Sequence, residues 1–183
     1  MRTELFEQAC AMYRAGEIQD AYALMVKCAQ AGDPIACLLA QEWIASINPN
    51  PDVNWMKKLE DIAHSGVAEA QWELSQCYRF GNYVNASVNS ANYWLEKSAE
   101  GGWPEANLHL SWYMASEQYG YELDIRESER RRELAINAGS AEAIYLKAIE
   151  IIDTDRESAI MMLRDSASKG FQPAVEVLKN FSH

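Results

Sequence analysis

The 183-residue chain is short of the residues from which catalytic and cofactor sites are most often built. It has three histidines and four cysteines. The cysteines, Cys10, Cys28, Cys37 and Cys77, form no Cys-x-x-Cys pair of the kind zinc and dithiol chemistry uses. His64 falls at the end of a helical pattern, His109 inside one and His183 at the last position. No His-Glu-x-x-His, nucleophile-elbow or phosphate-cradling glycine motif occurs. Cations are scarce as well: 16 Lys and Arg against 27 Asp and Glu give a formal charge of −11. Nucleic-acid binding relies on clustered cations that displace counterions from phosphates, so nucleic acid is not an expected partner. The one basic run, Arg130 to Arg132, is flanked by Glu127, Glu129 and Glu133 and reads as a solvated helix face. No apolar run nears the roughly 18 residues of a membrane span, and the first residues carry no unbroken apolar segment of a secretory leader. The expectation is a soluble, cytoplasmic, non-enzymatic protein with buried free thiols, no metal and no cofactor. Asp52, Asp61, Asp153 and Asp155 fall in loops or at helix ends, where capping accounts for them better than acid-base work does.

What the chain does have is a period. Five times a glycine is followed four residues later by an alanine: Gly32/Ala36, Gly66/Ala70, Gly102/Ala106, Gly139/Ala143 and Gly170/Ala174. The glycines stand 34, 36, 37 and 31 residues apart, which marks an array of similar small units. Apolar residues on both sides of each mark recur at three- and four-residue steps, as amphipathic helices require. Glycine ends one helix, and the small alanine lets the next lie close to its neighbour. Asp33-Pro34, Ser140 and Thr154-x-x-Glu157 supply start signals of the capping, N1-proline and capping-box kinds. Loops are expected at 15–16, 48–52, 81–89, 119–124 and 153–155. The phasing predicts helices near 3–14 and 17–30, 34–46 and 53–64, 67–80 and 89–100, 104–117 and 125–137, 141–152 and 155–168, and a last helix at 172–181. The fold class is thus all-α: about five antiparallel hairpins, 3–30, 34–64, 67–100, 104–137 and 141–168, in one repeat domain over 1–183. Helix 172–181 caps it with polar Glu176, Lys179 and Asn180.

The run Tyr78-Arg79-Phe80-Gly81-Asn82-Tyr83-Val84, followed by Ala91, Trp94, Ala99, Gly102, Ala106 and Leu110, resembles the Sel-one-like repeat (SLR), a relative of the tetratricopeptide repeat. The likeness is best over 55–114 and extends more loosely along the chain, with Tyr13, Gly16, Ala21, Ala29, Gly32 and Ala36 repeating the pattern. Departures occur at Tyr83, where the family loop usually carries a second glycine, at Ile136 in place of a small residue, and at Lys147 in place of leucine. The resemblance implies a right-handed α-solenoid whose first helix of each pair lines a concave face. It also implies an adaptor that holds another protein or peptide; some bacterial members resemble immunity partners of secreted toxins. A further branch is exported, cell-wall-active and stapled by cysteines around the repeat glycine, much as Cys28 and Cys37 flank Gly32.

If the hairpins stack as tetratricopeptide units do, positions six and ten after each glycine face the concavity. Six on stand Leu38, Trp72, Leu108, Tyr145 and Glu176; ten on stand Glu42, Gln76, Trp112, Ile149 and Asn180. Trp72, Trp112 and Tyr145 are aromatic anchor candidates, with Leu108 and Gln76 beside them; the same residues would equally serve as core between hairpins. Trp43, Trp55, Trp94 and Trp103 read as packing. Three after the glycine, Glu69, Glu105 and Glu142 form a row that the helix dipole favours in any case. Its functional reading is a negative rim steering a partner with a basic surface, with Arg79 placed in the same groove. Exposed apolar faces at the first or last hairpin would suit a homodimer.

Overall fold

A computed structural model describes residues 2–48, 54–179 and 181. The expected loop over 49–52, with Asp52, and the residues Asn180 and His183 lie outside them. Among the described residues there are eleven α-helices and no strand. The chain divides into two compact units, Met1–Gly101 and Gly102–His183. The first holds α1 (Glu4–Arg14), α2 (Ile18–Gln30), α3 (Pro34–Ile47), α4 (Trp55–His64), α5 (Ala68–Phe80) and α6 (Val88–Glu100). The second holds α7 (Pro104–Ala115), α8 (Ile125–Asn137), α9 (Ala141–Ile151), α10 (Arg156–Ser168) and α11 (Gln172–Lys179). Inside each unit every helix packs on the next in sequence, and α3 also reaches α5. This is the hairpin-on-hairpin packing of an α-solenoid.

The turn at Gly139 explains how one helix stops and the next begins within three residues. Gly139 takes φ +88°, a left-handed conformation open to glycine without a Cβ clash. That geometry lets its N–H donate to Ile136 O (2.9 Å) and the Ser140 N–H to Ala135 O (2.9 Å), so two carbonyls at the end of α8 are satisfied. Ser140 then turns around as a cap, its Oγ accepting from the Ala143 N–H at 3.3 Å. Asp33 repeats the device, donating its N–H to Cys28 O (3.2 Å) and accepting from the Ala36 N–H on Oδ1 (2.9 Å). The alanines of the periodic row, Ala36, Ala70, Ala106, Ala143 and Ala174, are all fully buried. A larger side chain at any of them would force neighbouring helices apart at a cost of about 1–3 kcal/mol.

Two hairpins carry an extra hydrogen bond. Ser98 Oγ of α6 donates to Ala68 O at the start of α5 (2.7 Å), and Ser166 Oγ of α10 donates to Ala141 O at the start of α9 (2.6 Å). Both serines are fully buried, so the bond satisfies a hydroxyl that would otherwise be stranded. Around the first of them the helices come very close: a Cβ added at Gly101 would stand 2.8 Å from Ala68 Cβ.

Of the tryptophans expected to pack between helices, Trp43, Trp55 and Trp94 are buried and Trp103 is half-buried. Trp43 lies flat on Tyr13, with ring centroids 4.1 Å apart and planes 5° off parallel, and Trp55 Nε1 donates to the Tyr22 hydroxyl at 3.2 Å. Two local expectations need correction. The capping box at Thr154 does not form: Asp155 is the cap of α10, its Oδ1 accepting from the Ser158 N–H (3.1 Å), while the Thr154 hydroxyl donates backward to Ile151 O (3.1 Å). Helix α7 stops at Ala115, two residues early, because Ser116 leaves helical geometry and Glu117 follows at φ +52°. Cys28 and Cys37 are unbonded; all four cysteines are free thiols, and burial pushes those of Cys37 and Cys77 up to about 12.

Candidate functional site

The anionic row is largely committed inside the protein. Arg2 binds Glu69 in the first turn of α5 (Nη2 to Oε1, 2.9 Å) and lies 3.7 Å from the Asp33 carboxylate that caps α3. A cavity of about 460 Å³ beside them, lined by Leu5, Cys28, Pro34 and Val67, therefore has both its carboxylates engaged. Glu105 and Glu142 are half-buried in the first turns of α7 and α9. Arg79 does not stand free in a groove: its Nη2 donates to Asn92 Oδ1 of α6 at 3.0 Å, pinning the two helices of that hairpin together.

The anchor candidates separate by their surroundings. Leu108 is fully buried between Ala135 of α8 and Ala143 of α9, which makes it core and removes it from any partner surface. Tyr145 is half-buried and turns toward Phe171, ring centroids 5.2 Å apart, joining the packing of α11 on its unit. In the first unit Trp72 and Gln76 are half-buried on α5, and Gln76 Nε2 donates to Ser75 Oγ (3.0 Å).

Trp112 is different. It lines an open groove of about 540 Å³ in the second unit, walled by α7, α8 and α9. The apolar part of that wall is Trp112 and Ala115 from α7, Ile125 from α8, and Leu146 and Ile149 from α9. Ile125 and Ile149 remain 52% and 39% exposed along this wall. On one face of Trp112 the ring of His109 packs at 5.0 Å, and His109 Nδ1 sits 3.2 Å from the Tyr113 hydroxyl, so the indole is held by its own helix. Polar groups complete the rim. Arg132 Nη1 bonds Glu150 Oε2 (3.0 Å), tying α8 to α9, and Lys147 takes the other oxygen (3.2 Å). These contacts hold the Glu150 carboxyl below its ordinary value, the Lys147 hydrogen bond most of all. The side chain of Glu129, exposed on α8, makes no hydrogen bond or ion pair among the described residues.

The rest of the basic run is bound to a single carboxylate next to this groove. Arg130 and Arg131 both bond Glu127, at 2.6 and 2.8 Å, and Arg131 reaches on to the buried Asn107 of α7 (3.2 Å). The Arg130 hydrogen bond, then that of Arg131, lowers the Glu127 carboxyl to about 2. The solvated helix face expected of this run holds for Arg130, which is exposed, while Arg131 is largely covered by its bonds to Glu127 and Asn107. Of the nine candidate residues, then, only Trp112 lines the groove. Ile149 belonged to the row ten residues after glycine and was visible in that spacing. Ile125, Glu129 and Arg132 were not, because they stand on α8, a second helix of a pair. The signal available for Ile125 was an isoleucine at the first position of an otherwise charged helix. Among the described residues no group of His, Cys, Asp or Glu is arranged to hold a metal ion, and no helix is long and apolar enough to cross a membrane.

Neither a family model nor a curated protein matches the chain. Solved structures do. The fold is similar to that of c5321, a protective antigen present in uropathogenic Escherichia coli strains displaying an SLR fold (TM-score 0.58, 18% identity). That match covers 92% of this chain but 38% of the other. A Sel1 repeat protein from Oxalobacter formigenes matches with a TM-score of 0.58 at 30% identity, over 68% of this chain and 97% of its own. Identity at that level over nearly the whole of the relative, joined to the glycine turns and buried alanines described above, places the chain in the Sel1 repeat family.

Proposed function

We propose that this is a non-enzymatic interaction module that takes another protein or peptide in the groove between α7, α8 and α9. The observation that carries the reading is the exposure of Ile125 and Ile149 beside a fixed indole, Trp112, in one concavity. Rigid aromatic and aliphatic groups of this kind recover much apolar area on binding for little lost entropy. The groove is open at its rim, whereas small-molecule sites enclose most of their ligand. What it offers chemically is packing and charge pairing. A macromolecular surface uses both.

The test is capture from lysate by native protein and by a Trp112→Ala/Ile149→Asp variant with unchanged helical circular dichroism. A partner held by the native protein and lost by the variant supports the groove as the site; a partner held equally by both moves the site elsewhere and sinks this reading. An adaptor and an immunity protein are finer versions of the same proposal. A captured enzyme whose activity the protein blocks would select the second. The free thiols support a reducing, cytoplasmic location and lend nothing to the exported, disulfide-stapled branch.

A further inference from the structure

We infer that Asp33 and Glu69 form a receptor for an arginine side chain, and that Arg2 fills it from within the protein as a displaceable stand-in. The site belongs to the first unit and does not rest on the groove reading. Asp33, the cap of α3, and Glu69, in the first turn of α5, both line the cavity of about 460 Å³. The guanidinium of Arg2 reaches both: Nη2 donates to Glu69 Oε1 at 2.9 Å, and Nε lies 3.7 Å from Asp33 Oδ2. Its Cζ stands 5.1 Å from the centroid of the Phe6 ring. A planar cation that bonds one carboxylate, faces a second and lies over an aromatic ring uses the particular chemistry of guanidinium, so the class of occupant is given by the group already there.

The hold is loose. Asp33 Oδ2 is beyond hydrogen-bond distance, and Arg2 Nε is buried with no hydrogen bond among the described residues, which leaves a donor unmet. Asp33 Oδ1 already accepts from the Ala36 N–H, so Oδ2 is the oxygen left for a cation. The three side chains keep between 22% and 32% of their surface in solvent, so one guanidinium can replace another without a helix opening. Lys27 also lines the cavity. With Arg2 in place the four charges cancel; with it displaced one negative charge remains, which a cation and no anion restores to balance. Leu5, Pro34 and Val67 line the same cavity and offer packing to an apolar neighbour of the incoming arginine.

The probe is N-acetyl-arginine amide, titrated by NMR into the full-length native protein and an Arg2→Ala variant. The citrulline analogue, which keeps the shape and loses the charge, is the control. Helicity and melting temperature are checked for each variant first. A filled receptor must open before it binds, so its apparent affinity falls by the open fraction. Arg2→Ala should therefore bind the probe about fivefold more tightly than the native protein, the range of a partly exposed ion pair, with the largest amide shifts at Ala36 and Glu69. Adding Glu69→Gln to Arg2→Ala should weaken binding by a similar factor, and citrulline should not compete. In the native protein, where no variant has to fold, excess probe should move the Arg2 Nε–H resonance to the position of a solvated arginine. Equal binding by native and Arg2→Ala protein, binding indifferent to Glu69→Gln or matched by citrulline, or no binding at all would overturn the inference. So would an Arg2 resonance that stays in place while the probe binds. None of these outcomes bears on the groove of the second unit.

Discussion

Tyr83 holds its backbone at φ +63°, a conformation an L side chain adopts at a cost and glycine does not. The resemblance to the repeat places a second glycine here, and the left-handed backbone is the conformation such a glycine takes without strain. Comparing Tyr83→Gly with Tyr83→Ala removes the ring in both and leaves only the backbone term. Left-handed alanine costs about 1–2 kcal/mol, and glycine gives part of that back through the entropy of the unfolded chain. The glycine variant should therefore be more stable by about 1 kcal/mol in urea denaturation; equal midpoints would mean the loop relaxes. The same scale shows where reading the sequence ran out. Leu108 and Trp72 both stand six residues after a glycine, yet one is fully buried and the other half-exposed. Side-chain size and the neighbouring helix decide this, since Leu108 fits against Ala135 and Ala143, and no spacing rule encodes that fit.

At the scale of helices, α8 shows how a polar element is fixed. Only Ser128 and Ala135 of its residues are buried, so little apolar area holds it. Its first turn is bound instead by Asp124, whose Oδ1 accepts from the Glu127 N–H at 2.9 Å, and by the Glu127 links to Arg130 and Arg131, the latter continuing to Asn107 of α7. Because the Glu127 carboxyl is lowered from 4.5 to about 2 in the folded protein, its contribution is fully present above the unfolded value. It is lost as pH falls through the folded one. Melting temperature should thus drop between about pH 4.5 and 2, and Glu127→Gln should flatten part of that slope. An unchanged slope in the variant would show that the network adds nothing to stability. Helix positions themselves were legible, since caps, N1 prolines and glycine turns are chemical marks in the sequence. Pro34–Ile47 against an expected 34–46 is a fair instance. Among the ends that moved, α10 begins at Arg156 because Thr154 and Asp155 compete for the cap, and α7 ends at Ala115 because Glu117 turns left-handed.

Across the whole molecule, the repeat plan distributes stability unevenly. Helix α11 is eight residues long and buries only Ala174 fully, whereas α7 in the same unit buries six residues, Leu108 and Leu110 among them. Among the described helices α11 packs chiefly on α10, and in an array whose elements lean on neighbours an element held mainly by one of them opens more easily. Amides of Val177 and Leu178 should exchange with solvent well before those of Leu108 and Leu110; equal protection would point to a single cooperative unit. The two serine clips bear on a different question, that of ancestry. Each joins the two helices of one hairpin, Ser98 to Ala68 and Ser166 to Ala141, so donor and acceptor lie between the same pair of glycine turns. A duplication or deletion with both breakpoints at such turns carries the clip intact, while a breakpoint between α5 and α6 parts a buried hydroxyl from its carbonyl. A whole hairpin can therefore be gained or lost without breaking either clip, whereas the turn at Gly66 is bridged by a buried bond of its own, from Gln71 Nε2 to Ala63 O at 3.0 Å.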